Sequence, residues 1–250
     1  MTVSAQSYLE AITAAVARVG ASQHDGVQRA ADLIAASLAA GGVVQAFGCG
    51  HSEALSMEIA GRAGGLVPTN RIALRDIVVY GDEAPERLLD QLLERDPTVA
   101  HRLYQLAPVK PDDIFVVTSN SGVNGVIVEF ALLVKERGHT LIGITSQQHS
   151  DAVRSRHPSG RRLSGIADVV LDNGAPYGDA TLPVPGGGAV GAVSSITGAL
   201  LAQQIVTEVV ARMLAASLTP PIYHSANVPG GHEHNVALEE RYAGRIRRSA

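Results

Sequence analysis

Residues 112–144 spell a strand, a tight turn, a helix and a second strand in one unbroken run, and no other stretch restricts the possible folds as strongly. The apolar, β-branched Ile114-Phe115-Val116-Val117 leads into Ser119-Asn120-Ser121-Gly122-Val123-Asn124. An amphipathic segment over residues 125–137 follows, stopped by Gly138, and Thr140-Leu141-Ile142-Gly143-Ile144 reads as the returning strand. Two strands joined through a helix lie parallel. The crossover is right-handed, because only that hand lets twisted strands receive the helix back onto the sheet.

The same grammar occurs earlier. Gly41-Gly42 stops a helical stripe, residues 43–47 read as a buried strand, and Gly48-Cys49-Gly50-His51-Ser52 opens a helix over residues 55–63 that ends at Gly64-Gly65. Upstream, Leu9, Ile12, Ala15, Val16 and Val19 form one helical stripe, and Ala30, Ala31, Ile34 and Leu38 a second, which predicts two antiparallel helices. Residues 71–79 and 167–171 read as further strands, and residues 84–94, 98–106, 190–216 and 236–248 as helices. Residues 146–164, 173–188 and 223–235 read as loops. Alternating strands and helices imply an α/β fold, a three-layer αβα sandwich around a mostly parallel sheet. The predicted organisation is a helical hairpin over residues 1–40, a core over 41–216 and a loop-and-helix extension over 217–250.

Each Gly/Ser turn that joins a strand to a helix forms an anion socket. N–H groups in a first helical turn lack partners, the aligned peptide dipoles add partial positive charge, and neighbouring hydroxyls add donors. No lysine stands near either turn, so the sockets suit a phosphate carried by a small molecule rather than a triphosphate that needs neutralising.

Composition narrows the setting. The 250 residues carry 20 basic and 24 acidic side chains, a net charge of −4, which gathers no polyanion and argues against a nucleic-acid partner. No basic start with an apolar run marks a secretory signal, and no apolar stretch reaches membrane-spanning length, so a soluble, cytoplasmic chain is expected. The single cysteine, Cys49, permits no internal disulfide, and between two glycines it reads as a small residue packed under a turn or as a nucleophile. The partly buried stripes of the first two helices and the long late helix predict a homodimer or higher homo-oligomer.

The segments "FGCGHSEALSMEIAGRAGG" and "VVTSNSGVNGVIVEFALLVKERGHTLIGITS" resemble the SIS (sugar isomerase) domain family. "GHSEALSMEIAGRAGGL" with "SANVPGGHEHN" resembles an uncharacterised bacterial subgroup, related to phosphoheptose isomerase and N-acetylmuramic acid 6-phosphate etherase. The resemblance implies a flavodoxin-like SIS fold. It also implies a sugar-phosphate ligand, with Ser52, Ser119, Asn120, Ser121 and Asn124 at the phosphate and Gly50 and Thr145 beside them. Asn124 replaces the usual threonine with an amide that still donates. The resemblance implies metal in only some branches of the family, and neither a metal nor a cofactor is expected here.

Isomerisation and elimination both start by removing the proton beside the carbonyl. The resemblance places Glu58 there, since Glu58-Ile59-Ala60-Gly61-Arg62 parallels the "E-L-V-G-R" of the heptose-phosphate branch, while an ordinary i,i+4 pair with Arg62 is the alternative. Glu53 is a rival, also explained by the helix dipole. His51 has the chemistry to open a sugar ring or to make plain loop hydrogen bonds. Glu208 and Asp179 are further acid–base candidates. Asn227, His232 and His234, with His224 and Glu233, form a polar cluster that reads as a loop reaching the site or as a metal site. Arg241, Arg245, Arg247 and Arg248 read as a solvated helix face. The implied activity is phosphosugar lyase or isomerase chemistry on an amino-hexose 6-phosphate such as N-acetylglucosamine 6-phosphate. A non-catalytic phosphosugar sensor is the alternative.

Overall fold

The computed structural model describes residues 2–248. Helices α1 (Ala5–Ser22) and α2 (His24–Ala39) lead into β1 (Val44–Gly48), and the Ser4 hydroxyl caps α1 by accepting from Ser7 N. After β1 come α3 (Glu53–Ile59), β2 (Thr69–Ile72), α4 (Asp76–Val79) and α5 (Thr98–Leu106). The predicted strand–helix–strand unit is β3 (Ile114–Thr118), α6 (Gly125–Glu136) and β4 (Thr140–Thr145). Then follow α7 (Gln147–Ala152), β5 (Val169–Asp172), β6 (Ala180–Pro183), β7 (Ala189–Ala192), α8 (Ser194–Ala215) and α9 (Gly231–Glu240).

Five strands form one parallel sheet in the order β2-β1-β3-β4-β5. Strand side chains alternate between faces, and here both faces are covered. Val44, Ala46, Ile114, Val116, Ile142 and Ile144 enter the core under α2 and α8, whereas Phe47, Phe115, Val117 and Leu141 enter the one under α5 and α6. Phe130 of α6 anchors the second core, with its ring 4.5 Å from that of Phe47 and 5.9 Å from that of Phe115. The result is the three-layer sandwich expected from the pattern.

Several local expectations are corrected. Residues 71–79 are not one strand: Asp76 reaches back to accept from Ala73 N at 3.0 Å, a reciprocal cap that turns the chain into α4. Residues 84–94 form two 3₁₀ turns, Pro85–Leu89 and Leu93–Arg95, because Arg87 draws Asp90 and Asp96 together, each at 2.8 Å. The Gly/Pro-rich stretch is a β6–β7 hairpin, tied to α1 by the Tyr8 hydroxyl donating to Ala192 O at 2.6 Å. Helix α7 interrupts the loop read over residues 146–164, started by the Ser146 hydroxyl accepting from His149 N.

The basic end of the chain is a strap rather than a solvated helix face. Asn70 of edge strand β2 donates to Arg245 O at 2.5 Å and accepts from Arg247 N at 2.6 Å. Arg248 donates to the carbonyls of Thr69 at 2.8 Å and Val67 at 2.7 Å. Arg245 pairs with Asp113, whose side chain is fully buried. The strap thus covers a sheet edge that would otherwise be open.

Candidate functional site

Strands β1 and β3 pair in register, Gly48 opposite Thr118, so the turns that follow them leave the sheet at the same end. Strand order reverses between these two strands, with β1 continuing outward to β2 and β3 to β4, and such a switch point opens a crevice. Thr118 joins the turns, donating from its hydroxyl to Ser52 O at 2.9 Å. A Cβ on Gly48 would fall 2.4 Å from that hydroxyl, so only glycine fits there.

The second turn is built by its own side chains. Ser119 Oγ accepts from Gly122 N at 3.1 Å, and Gly122 holds φ +64°. Asn120 O accepts from Ser146 N at 3.0 Å and Thr145 Oγ1 at 3.3 Å, while Asn120 Oδ1 accepts from Asn173 at 3.1 Å. Ser119, Asn120 and Thr145 therefore shape the loop. Ser121 and Ser52 do not: Ser52 makes no cap bond on α3, and neither hydroxyl has a partner among the described residues. A pure capping role is thereby removed for both.

Ser121 lines a cleft of about 190 Å³ together with Glu94, Val123, Asn124, His149, Val153 and Arg156. Asn124 donates its amide to Glu94 Oε1 at 2.9 Å, and Glu94 Oε2 stands 3.8 Å from where a Gly50 Cβ would be, so one carboxylate spans both turns. The Leu93–Arg95 turn that carries Glu94 packs against the start of α6, where Arg95 O lies 2.1 Å from the position of a Gly125 Cβ. His149 Nδ1 accepts from Gly178 N at 2.9 Å, which leaves the proton of a neutral ring on Nε2. His51 is exposed on the Gly50–Ser52 turn. Cys49 is buried between the turns; burial chiefly, then the charges of Glu94 and Glu53, push its thiol pKa well up, so it stays protonated and is no ready nucleophile.

Other candidates sit elsewhere. Glu58 is half-buried; its Oε2 pairs with Arg62, the i,i+4 pair weighed against a catalytic role, and accepts from Gln203 Nε2 at 3.0 Å. It lines a separate cleft of about 400 Å³ beside β2, with Arg62, Asp76, Tyr80, Arg247 and Arg248. Glu53 pairs with Arg75 at 2.6 Å. Glu208 lines a cleft between α2 and α8, where hydrogen bonds from Gln28 and Arg212 hold its carboxyl below the usual range. Asp179 caps α8, accepting from Ser194 N at 2.8 Å and Ser194 Oγ at 2.7 Å. His234 stacks on His224 with centroids 3.7 Å apart and bonds Ile222 O. Neither it, Asn227 nor His232 lines the Ser121 cleft. Among the described residues no three His, Cys, Asp or Glu side chains converge as a metal site, and no helix is long and apolar enough to cross a membrane.

Glu94, His149 and Arg156 escaped the sequence reading. Glu94 lay in a segment that read as a helix, and the other two in a Ser/Arg-rich loop with no spacing signal.

A family model described as the SIS domain matches residues 7–146. The chain belongs to the SIS-domain family. A UPF0309 protein of Listeria monocytogenes is 40% identical over 225 residues, covering 90% of this SIS protein and 91% of the relative. A UPF0309 protein of Geobacillus kaustophilus is 35% identical, covering 96% and 94% of the two chains. Among solved structures, phosphoheptose isomerase from Neisseria gonorrhoeae aligns over 82% of this chain and 96% of its own, with TM-score 0.56 and 17% identity, a likeness of fold.

Proposed function

We propose that this SIS protein binds an amino-hexose 6-phosphate, such as N-acetylglucosamine 6-phosphate, and moves the proton on the carbon beside its carbonyl. The reading is carried by two serine hydroxyls, Ser52 and Ser121, which have no partner among the described residues and stand on turns leaving adjacent parallel strands at the same end. In this reading they donate to the phosphate, together with the free first-turn amides of α6. Likeness in fold to phosphoheptose isomerase supports it.

Glu94 is the carboxylate lining the cleft and is assigned the C2 proton. The electron pair left on C2 passes into the carbonyl, giving a C1 enol whose C2 bears the sugar's nitrogen. Return of the proton to C1 leaves a C2 imine, the nitrogen counterpart of an aldose–ketose isomerisation; collapse of the enol to the C1 carbonyl, with the double bond moving to C2–C3 and His149 Nε2 protonating the departing C3 oxygen, releases water and completes an elimination. Glu58, bound to Arg62 and Gln203 in the neighbouring cleft, is assigned no proton transfer.

The test is proton exchange at C2 in heavy water, followed by NMR with glucosamine 6-phosphate and N-acetylglucosamine 6-phosphate. Exchange is expected with the wild type and with Glu58→Gln, and is lost in Glu94→Gln while binding persists. Loss in Glu58→Gln alone overturns the assignment of the base. Binding without exchange in the wild type identifies a phosphosugar sensor, and absence of binding overturns the reading of the site.

A further inference from the structure

The sockets offer only neutral donors, and Glu94 places a negative charge on the wall of the same cleft. A dianionic ester entering there meets like-charge repulsion, which hydroxyls and amides do not cancel. Arg156 is the one cation among the residues lining that cleft. Its main-chain N–H donates to Val123 O at 2.9 Å, which stitches it to the socket turn. The surrounding loop is braced: His157 Nε2 lies 2.7 Å from Glu129 Oε2, Ser155 Oγ donates to Arg161 O at 2.7 Å, and Arg162 donates to Val153 O at 2.6 Å.

On this fixed base the Arg156 guanidinium is exposed and has no partner among the described residues. The arginines of the β2-edge cleft differ. Arg62 is paired with Glu58, Arg247 donates to Leu106 O and lies over the Tyr80 ring, and Arg248 holds main-chain carbonyls. A guanidinium fork matches two phosphate oxygens and keeps its charge at any working pH.

We propose that Arg156 is the counter-ion of the bound phosphate, closing over the ester from the loop after α7 and offsetting the charge of Glu94. The inference rests on the sugar-phosphate reading above. Neither a nucleotide nor a polyanion is needed to explain a single unpaired arginine in the same cleft as the Ser121 hydroxyl; one phosphate ester uses both.

Calorimetric titration with N-acetylglucosamine 6-phosphate and glucosamine 6-phosphate tests it, with Arg156→Gln, Arg156→Lys and the nearby exposed Arg154→Gln, which does not line the cleft. Arg156→Gln is expected to weaken binding about tenfold, as for loss of a charged hydrogen bond. It should also flatten the dependence of Kd on salt. Lysine restores part of the affinity, and Arg154→Gln binds like the wild type. Binding by Arg156→Gln within about twofold of wild type (near 0.4 kcal/mol), or an equal loss in Arg154→Gln, overturns the inference while the reading of the site stands. A wild-type chain that binds neither sugar phosphate overturns both.

Discussion

Replacing Arg245 with methionine removes the cation from a carboxylate that the fold has taken out of water. The Asp113 side chain has 0% exposure and that of Arg245 14%, so little solvent is present to screen the pair. At an effective dielectric near 20, opposite unit charges about 4 Å apart attract by about 4 kcal/mol, and the cost of drying the guanidinium offsets part of that. Asp113 keeps three N–H donors: Val43 N and Gln45 Nε2, each at 2.9 Å, and Lys110 N at 3.0 Å. The carboxylate is therefore not left bare. The loss should sit near 3 kcal/mol, the lower end of the roughly 3–5 kcal/mol seen when a buried pair loses one member. In urea unfolding, with a slope of about 3 kcal/mol per molar, the midpoint falls by about 1 M. A double-mutant cycle with Asp113→Asn isolates the pair, the combined loss being smaller than the sum. A midpoint change below about 0.3 M, or additivity within about 0.5 kcal/mol, refutes the claim that this ion pair fastens the strap.

Gly122→Ala should cost about 1–3 kcal/mol, because the residue holds φ +64° and a Cβ there would lie 3.0 Å from Thr145 Oγ1. Thermal unfolding reads the loss, and an unchanged Tm contradicts it. Because burial pushes the Cys49 thiol up, the unfolded chain ionises first as pH rises, so stability falls above the ordinary thiol range. Denaturant titrations of the wild type should show that fall, and Cys49→Ala should remove its thiol-dependent part. Identical pH profiles for the two proteins would exclude it.

The parts legible in the sequence were those encoded by neighbours in the chain. The strand–helix–strand unit declares itself because β3, α6 and β4 each carry a full local period of apolar residues, and burial on both faces made the strands continuous apolar runs. Both Gly/Ser turns stood out for the same reason. The segment between β2 and α5 did not, since its shape comes from Asp76 capping Ala73 and from Arg87 gathering two aspartates, interactions of side chains rather than of period. Asp179 read as an acid because its partner, the start of α8, lies 15 residues away.

Sequence by itself therefore determined the layered α/β fold and the two turns with their serines. Tertiary structure alone decided which charges meet there. Glu94 reaches Asn124 across 30 residues, Arg156 arrives on a loop beyond the next strand, and Glu58 is drawn aside by Gln203 of α8. Helical and strand periods are local properties of a chain, whereas a cleft's charge depends on which distant loops the parallel crossovers deliver to one end of the sheet.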